Sequence, residues 1–398
     1  MKLDSAQVPA AVLEAVTTLQ SGGFRAFLVG GCVRDLLRAQ KPKDFDVASS
    51  ARPEQVQKLF KKVIPTGIDH GTVTVVLRGE HVEVTTFRAE AEYLDGRRPS
   101  KVEFHEDIEA DLSRRDFTMN AIAWDPAKNE LVDPFDGQGD LARRTVRCVR
   151  KAFDRFSEDG LRPLRAVRFA TVLDFELEAE TEAAISQTLE VFKKVAQERV
   201  HQEFVKLLAS PQVKKGLTLL HRTGLLGAFL PESQAKNFDA VARLPADEIL
   251  RLSALLHARD DAKNALTRMK FPSKVCEEVG AIARVTELPG SDDADVRRFL
   301  ARVTLERGVA AAHVHRALDA EKYGVAAEHV LRVAASKPPL TAKDLALNGQ
   351  AIMTALRLGP SPAIGQATRF LVDQVLADPS RNTAEQLTKL LSGWAPGA

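Results

Sequence analysis

The stretch 29-VGGCVRDLLRAQKPKDFDV-47 decides how this chain is read. An apolar, strand-like run beginning at Ala26 passes through Gly30 and Gly31 into a pattern suited to an amphipathic helix, and then reaches Asp44 and Asp46 with Phe45 between them. Glycine at a strand-to-helix junction lets backbone N–H groups approach an anion at the helix N-terminus, where the macrodipole also favours negative charge. Arg34 stands three residues past Gly31, about one helical turn on, within reach of a phosphate placed there. The Walker pattern, GxxxxGKS or GxxxxGKT, is absent, so P-loop chemistry is not implied. On a strand, Asp44 and Asp46 would share one face about 6.5 Å apart. Two carboxylates so placed can share hard cations with a substrate's phosphates, the usual environment of Mg2+. The plain alternatives are an ordinary turn and a solvated strand end. In 81-HVEVTTF, Glu83 is either a third carboxylate for such a site or a solvent-facing strand residue.

The chain is 398 residues long, more than one hydrophobic core usually serves, and two to four domains are expected. Apolar residues make up 44% and charged residues 28%, and no apolar run approaches the ~18 to 20 residues of a membrane span. The N-terminus, MKLDSAQVPA, does not resemble a secretion signal, and a cytoplasmic enzyme with no membrane role is the expectation. Cys32, Cys148 and Cys276 lie far apart with no CxxC spacing, which argues for reduced thiols and against disulfides or structural zinc. Net charge is only +2, but from Leu141 to Ala170 nine Lys and Arg face three acids. A concentrated positive region is what phosphate-rich ligands call for.

Residues 1 to about 140 mix β-rich runs (26-AFLVGG, 44-DFDVAS, 72-TVTVVL, 81-HVEVTTF, 120-NAIAWD) with helical stretches such as 53-PEQVQKLFKKV, where Pro53 suits a first turn. Beyond about Asp140 helical patterns run to the end, broken at 209-ASP, 230-LPES, 270-KFPS, 336-SKPPL and 359-GPSP. No fixed-period repeat is present.

Taken with 66-TGIDHGTVTV, 82-VEVTTFR, 95-DGRRP, 114-RRDFTMNA, 133-DPFDGQGDL, 158-EDGLRPLRAVRF and 198-ERVHQEF, the opening stretch resembles the nucleotidyltransferase superfamily typified by DNA polymerase beta. Within it the likeness is to class II tRNA nucleotidyltransferases (CCA-adding enzymes) and bacterial poly(A) polymerases. It covers about residues 20 to 210, with a fainter match at 345-LALNGQAIM. The resemblance implies an α+β protein: a polymerase-beta-like head with a small sheet (1–140), then an all-α neck for base recognition (141–208), body (209–290) and tail (291–398), the last two for RNA. It implies that Asp44 and Asp46 hold catalytic Mg2+, that Gly31 and Arg34 meet the triphosphate, that Arg115 contacts the nucleotide, and that Asp116 and Asn120 shape the sugar side. Asp159 and Arg162 would read the base edge, with Arg165 and Arg168 adding nucleotide contacts. The implied partners are the 3' end of tRNA, at its acceptor stem, and the substrates CTP and ATP.

The chemistry suits those roles. A carboxylate accepts from the exocyclic amine that cytosine and adenine share, and a guanidinium donates to their ring acceptors. On an ideal helix Asp159 and Arg162 are i,i+3 neighbours, while Arg168 points well away and suits phosphates, positioning or a salt bridge in the neck. Pro163 and Gly160 depart from the family's better helix formers, which predicts either a kink or a helix whose regular part starts near Pro163. The polar segment 88-RAEAEYLDGRRPSKVEF reads as a mobile loop, and its intact DGRRP favours an enzyme able to add A.

The fragment 252-LSALLHARDDA resembles a helix of metal-dependent HD phosphohydrolases, but Ala258 follows His257, so no second hydrolytic site is expected. His313 and His315 lie two apart on a helical pattern and do not form a metal pair. Rival readings keep the chemistry with another product, by A-adding, CC-adding or poly(A) polymerase activity, or make the chain a catalytically retired RNA-binding protein. Intact Asp44, Asp46, Arg115, Asp159 and Arg162 speak against retirement.

Overall fold

The computed structural model describes residues 3–68, 71–90, 102–290 and 292–395. The DGRRP segment and the Asp-His of 66-TGIDHG lie outside the described residues. Two compact units divide the chain, Met1–Phe229 and Leu230–Ala398.

The first unit opens with helix α1 (Ala10–Ser21), strand β1 (Ala26–Val29), α2 (Gly31–Leu37), β2 (Asp46–Ser49) and α3 (Pro53–Leu59). Strands β3 (Val63–Gly67), β4 (Thr72–Leu77) and β5 (Glu80–Thr86) follow, then a small pair, β6 (Arg88–Glu90) and β7 (Val102–Phe104). After α4 (Ile108–Ser113) come β8 (Ala123–Asp125) and β9 (Glu130–Val132), which complete a seven-stranded sheet ordered β3-β4-β5-β2-β1-β8-β9. Alternation of the strands sorts their apolar side chains onto two faces. Leu28, Val47, Val73, Val84 and Trp124 pack with Val12, Val16 and Leu19 of α1, whereas Phe27, Val29, Ala48 and Ala123 meet Ile108 and Leu112 of α4. Both faces being covered, β1 is buried at all four positions.

Sheet register sets the site. Val29, the last residue of β1 before the glycines, pairs with Asp46 on one side and Ala123 on the other, and Asp46 in turn pairs with Glu83 of β5. The glycine turn, the acidic strand start and the 114–123 segment therefore meet at one end of the sheet.

Beyond α5 (Gly137–Arg143) the first unit is helical except for β10 (Thr145–Val146) and β11 (Glu176–Leu177), a parallel two-residue pair. Helices α6 (Ala152–Glu158) and α7 (Arg162–Leu173) are separate, and of the two expected outcomes it is the second that holds: Pro163 sits in the first turn of α7, where it lacks only an N–H that no helical partner needs. The unit closes with α8 (Ala179–Gln187), α9 (Leu189–Phe192), α10 (Gln197–Leu208), α11 (Val213–Arg222) and α12 (Leu225–Phe229). In the second unit, among the described residues, the α-helices run from α13 (Phe238–Arg243) to α22 (Ala384–Ser392) and none crosses an expected break, although two begin at Ser273 and Pro362, the last residues of 270-KFPS and 359-GPSP. One of its cores gathers Ile352, Leu371, Val375, Leu387 and Leu391. Among the described residues no helix is long and apolar enough to cross a membrane.

The bend between α6 and α7 depends on Gly160, where an added Cβ would stand 2.7 Å from the Val191 carbonyl oxygen. Gly160→Ala is expected to destabilise the first unit by about 1–3 kcal/mol through overpacking. A lower urea midpoint checks this, and an unchanged midpoint would show that the contact is slack.

Candidate nucleotide site

Two cavities meet at the end of the sheet where Val29, Asp46 and Ala123 are paired. One, of about 430 Å3, is lined from the sheet side by Gly30, Gly31, Arg34, Asp46, Arg115, Asp116 and Asn120 and from the helical side by Asp159, Leu161, Arg162, Arg165, Phe169 and Arg199. The other, of about 890 Å3, adjoins it through Asp46 and includes Asp44 and Glu83.

Gly30 takes φ 77° and ψ −132°, a conformation open essentially to glycine, and a Cβ there would lie 2.8 Å from a guanidinium nitrogen of Arg115. This turn starts α2 at Gly31 and brings Arg34 inward. Arg34 is held by Asp35 at 2.8 and 3.0 Å and donates Nη1 to Asn120 Oδ1 at 2.9 Å. Arg115 pairs with buried Asp111 at 3.1 Å, and its own Nε is buried without a hydrogen-bond partner. An unmatched buried donor of this kind is a natural place for a ligand oxygen.

Asp44 is displaced from its expected setting. Strand β2 begins at Asp46, so Asp44 lies in the connection before it, and the two do not share a strand face as i and i+2. They nevertheless border the same cavity. Asp46 is exposed as a residue, yet its carboxylate has protein around it. That burial raises it above the ordinary carboxylate value, Arg115 opposes the shift, and the like charge of Asp44 adds to it. Two hard oxygen donors whose repulsion is already felt fit a hard divalent cation, which would relieve it. Glu83 borders the same space, but among the described residues no three His, Cys, Asp or Glu side chains converge as a metal cluster.

On the helical side, Asp159 and Arg162 do not form the expected pair on one helix face. Asp159 is the extended residue ending α6, and Arg162 is the first of α7. Each is anchored separately. The Asp159 carboxylate accepts from Leu161 N at 3.0 Å and from Arg199 at 2.9 Å. Arg162 donates to Glu158 at 2.7 Å and to the carbonyls of Arg155 and Arg114 at 2.9 and 3.2 Å. Both still line one cavity. Arg165 reaches across to Asp116 with two bonds of 2.9 and 2.6 Å, and Asn120 donates to the other Asp116 oxygen at 3.0 Å. Arg168, expected among the nucleotide contacts, does not line the cavity: it is buried, paired with Glu203 and stacked on Phe169, its guanidinium 3.7 Å from the ring centre. It stands behind Phe169 in a salt bridge, one of the settings its spacing allowed.

Arg199 and Phe169 were not singled out from the sequence. The only signal for Arg199 was its place in 198-ERVHQEF. For Phe169, which has the guanidinium carbons of Arg34 and Arg165 at 5.3 and 5.4 Å from its ring centre, it was the last place in 158-EDGLRPLRAVRF.

Comparison with known proteins follows the same outline. Residues 26–147 match the family described as "Poly A polymerase head domain", and residues 174–236 match "Probable RNA and SrmB- binding site of polymerase A". The CCA-adding enzyme of Geobacillus kaustophilus is 38% identical over 384 residues, 94% of each chain. That of Geobacillus sp. strain WCH70 is 39% identical over 350 residues, 86% of each. The crystal structure of the Bacillus stearothermophilus CCA-adding enzyme in complex with CTP superposes with a TM-score of 0.78 at 34% identity, covering 96% of each chain.

Burial works against the Asp116 carboxylate, but Arg165, the Asn120 hydrogen bond and more distant Arg162 outweigh it and bring it from 3.8 to about 2. A carboxylate depressed in the fold contributes stability above its unfolded value and loses it as pH falls through the folded one. Asp116→Asn is therefore expected to lower stability at pH 7 by about 2 kcal/mol. The gap from the native chain should shrink below about pH 4 and vanish near pH 2. Paired urea titrations across that range check it; a gap that does not change with pH would mean that the ion pair contributes nothing.

Proposed function

The chain belongs to the CCA-adding enzyme family of tRNA nucleotidyltransferases, and on that footing we propose how its residues divide the work. It is an RNA-binding transferase that adds CCA to the 3' end of tRNA from CTP and ATP. The observation that carries the assignment of roles is the single cavity in which a glycine turn, Asp46 and Arg115 face Asp159 and Arg162.

The triphosphate lies against Gly31 and Arg34, where backbone N–H groups and a guanidinium held by Asp35 and Asn120 receive its oxygens. Arg115 supplies its unmatched Nε nearby. Asp44 and Asp46 hold the divalent ions, which we take to be Mg2+ because the donors are carboxylate oxygens and the substrate brings phosphates. A magnesium ion held by Asp44 and Asp46 would lower the pKa of the attacking hydroxyl and offset charge on the leaving pyrophosphate. In the transfer the tRNA 3'-oxygen bonds to the α-phosphorus, the bond to the β-phosphate oxygen breaks, and pyrophosphate leaves.

Asp159 accepts from the exocyclic amine of C or A and Arg162 donates to a ring acceptor, so uracil and guanine leave one of the two unmatched. Arg165 keeps Asp116 and Asn120 in place at the sugar side. Arg168 positions Phe169. By region, we assign catalysis to a head at 1–140, base recognition to a neck at 141–208, and RNA binding to a body at 209–290 and a tail at 291–398. The match of residues 174–236 to an RNA-binding family spans the second half of the neck and the start of the body, and supports RNA binding by the body in part. We place the work in the cytoplasm, in keeping with three free, buried thiols.

The test is incubation with magnesium and labelled CTP or ATP on tRNA transcripts ending at the discriminator base, at C or at CC. Growth should reach CCA and stop. Long A tails, ATP used only on tRNA-CC, or no incorporation would each overturn the reading. Asp44→Ala should abolish incorporation while tRNA still binds. Asp159→Ala should cost CTP use about 10- to 100-fold, and a smaller loss with UTP would mark it as the base reader.

A further inference from the structure

A third cavity in the first unit, about 590 Å3, lies at the C-terminal end of α2, away from the glycine turn. It shares no lining residue with the catalytic cavity. Its size is that of small-ligand sites, which run from roughly 300 to 1,000 Å3. Leu141, Leu173 and Phe175 give it an apolar floor, and Arg38 and Arg144 stand at its edge. The guanidinium of Arg38 lies 5.4 Å from the centre of the Phe175 ring. Gln138 adds a carboxamide fixed by its Nε2 bond to Asp133 at 3.2 Å.

The charges here do not balance. Asp35 is the acidic neighbour of Arg38 at 3.7 Å, yet it is already gripped by Arg34 at 2.8 Å. Arg144 is turned toward Asp174 at 2.9 Å. Burial works against the Arg38 cation, Asp35 supports it, and the charges of Arg34 and Arg144 oppose it again. Both guanidinium groups stay charged and reach solvent, so an anion entering the cavity edge meets two cations at once. An apolar, aromatic floor with a two-arginine edge matches a ligand that has a flat ring at one end and a phosphate at the other.

We propose that this cavity binds a nucleotide, with the phosphate between Arg38 and Arg144 and the base over Leu141, Leu173 and Phe175. The ligand is either a free nucleotide or one nucleotide unit of the RNA. Because Asp35 serves both Arg38 and Arg34, a phosphate on Arg38 leaves Asp35 wholly to Arg34, and occupancy bears on the triphosphate site through α2.

The experiment is equilibrium dialysis of the full chain against radiolabelled AMP, with CTP saturating the catalytic cavity and no divalent ion present. It is repeated with Arg38→Gln and with Ala142→Trp, which fills the cavity from an exposed position. Each protein's affinity for a tRNA transcript is measured beside it. About one AMP per chain that persists under CTP and weakens at least tenfold in both variants supports a free nucleotide. No AMP on the native chain, with tenfold weaker tRNA binding in both variants, supports an RNA nucleotide. Adenosine binding as well as AMP would overturn the phosphate clamp. AMP fully displaced by CTP with tRNA affinity unchanged in both variants, or AMP bound equally by the native chain and both variants, would overturn the site itself.

Discussion

The ion pair between Arg165 and Asp116 is what the rest of the site hangs from. Arg165 belongs to α7 and Asp116 to the segment leading into β8, 49 residues earlier. One Asp116 oxygen takes both Arg165 donors and the other takes Asn120, whose own oxygen takes Arg34 at the glycine turn. A single, largely buried carboxylate thus ties the helical side of the cavity to the glycine-turn side. Burying charge is costly unless the lone pairs are filled, and here hydrogen bonds from several groups fill them. Behind Arg165, Glu203 of α10 stands 3.7 Å away and also holds Arg168, so α7 is fixed from two directions.

The positive excess between Leu141 and Ala170 acquires a different meaning once its partners are known. Arg143 and Arg147 share Asp140, Arg144 meets Asp174, Arg155 and Arg162 share Glu158, and Arg168 meets Glu203. Most of these charges are paired within the fold, Arg155, Arg162 and Arg168 as buried struts and Arg143 and Arg144 as exposed ones. The charge that matters to a triphosphate is counted in the catalytic cavity: Arg34, Arg115, Arg162, Arg165 and Arg199 against Asp46, Asp116 and Asp159. The cations exceed the carboxylates before any metal is added, which favours a polyanion in a confined space.

What could be read in advance was whatever the chain encodes over short distances. The glycine turn, Arg34, the presence of a strand after Asp44 and Pro53 in a first turn all rest on local backbone preferences. Strands β3 and β9 escaped notice because they are edge strands: β3 is largely exposed, and its Val63–Gly67 run lacks an apolar alternation. Asp44 was misplaced by the few residues within which strand ends are hard to fix. The pairings of Asp159 with Arg199 and Arg168 with Glu203 span 40 and 35 residues, and no periodicity within one helix names its partner on another.

Pro163 sets how Asp159 and Arg162, the pair proposed to read the base, are held. By starting α7 at Arg162 it puts Asp159 outside both helices, with an extended backbone and a carboxylate aimed by Arg199 and Leu161. Arg162 is aimed independently, by Glu158 and two carbonyls. Groups locked on one helix face would present a single spacing. Cytosine and adenine share an amine beside a ring acceptor but differ in how far that edge stands from the sugar. A carboxylate and a guanidinium with separate anchors can meet both edges by moving relative to each other, provided that the anchors hold the direction of each. Arg199 holds it for Asp159, and Glu158 with the carbonyls of Arg155 and Arg114 holds it for Arg162, so in the roles proposed for the pair the interruption at Pro163 would serve a two-base task that a continuous helix would hinder.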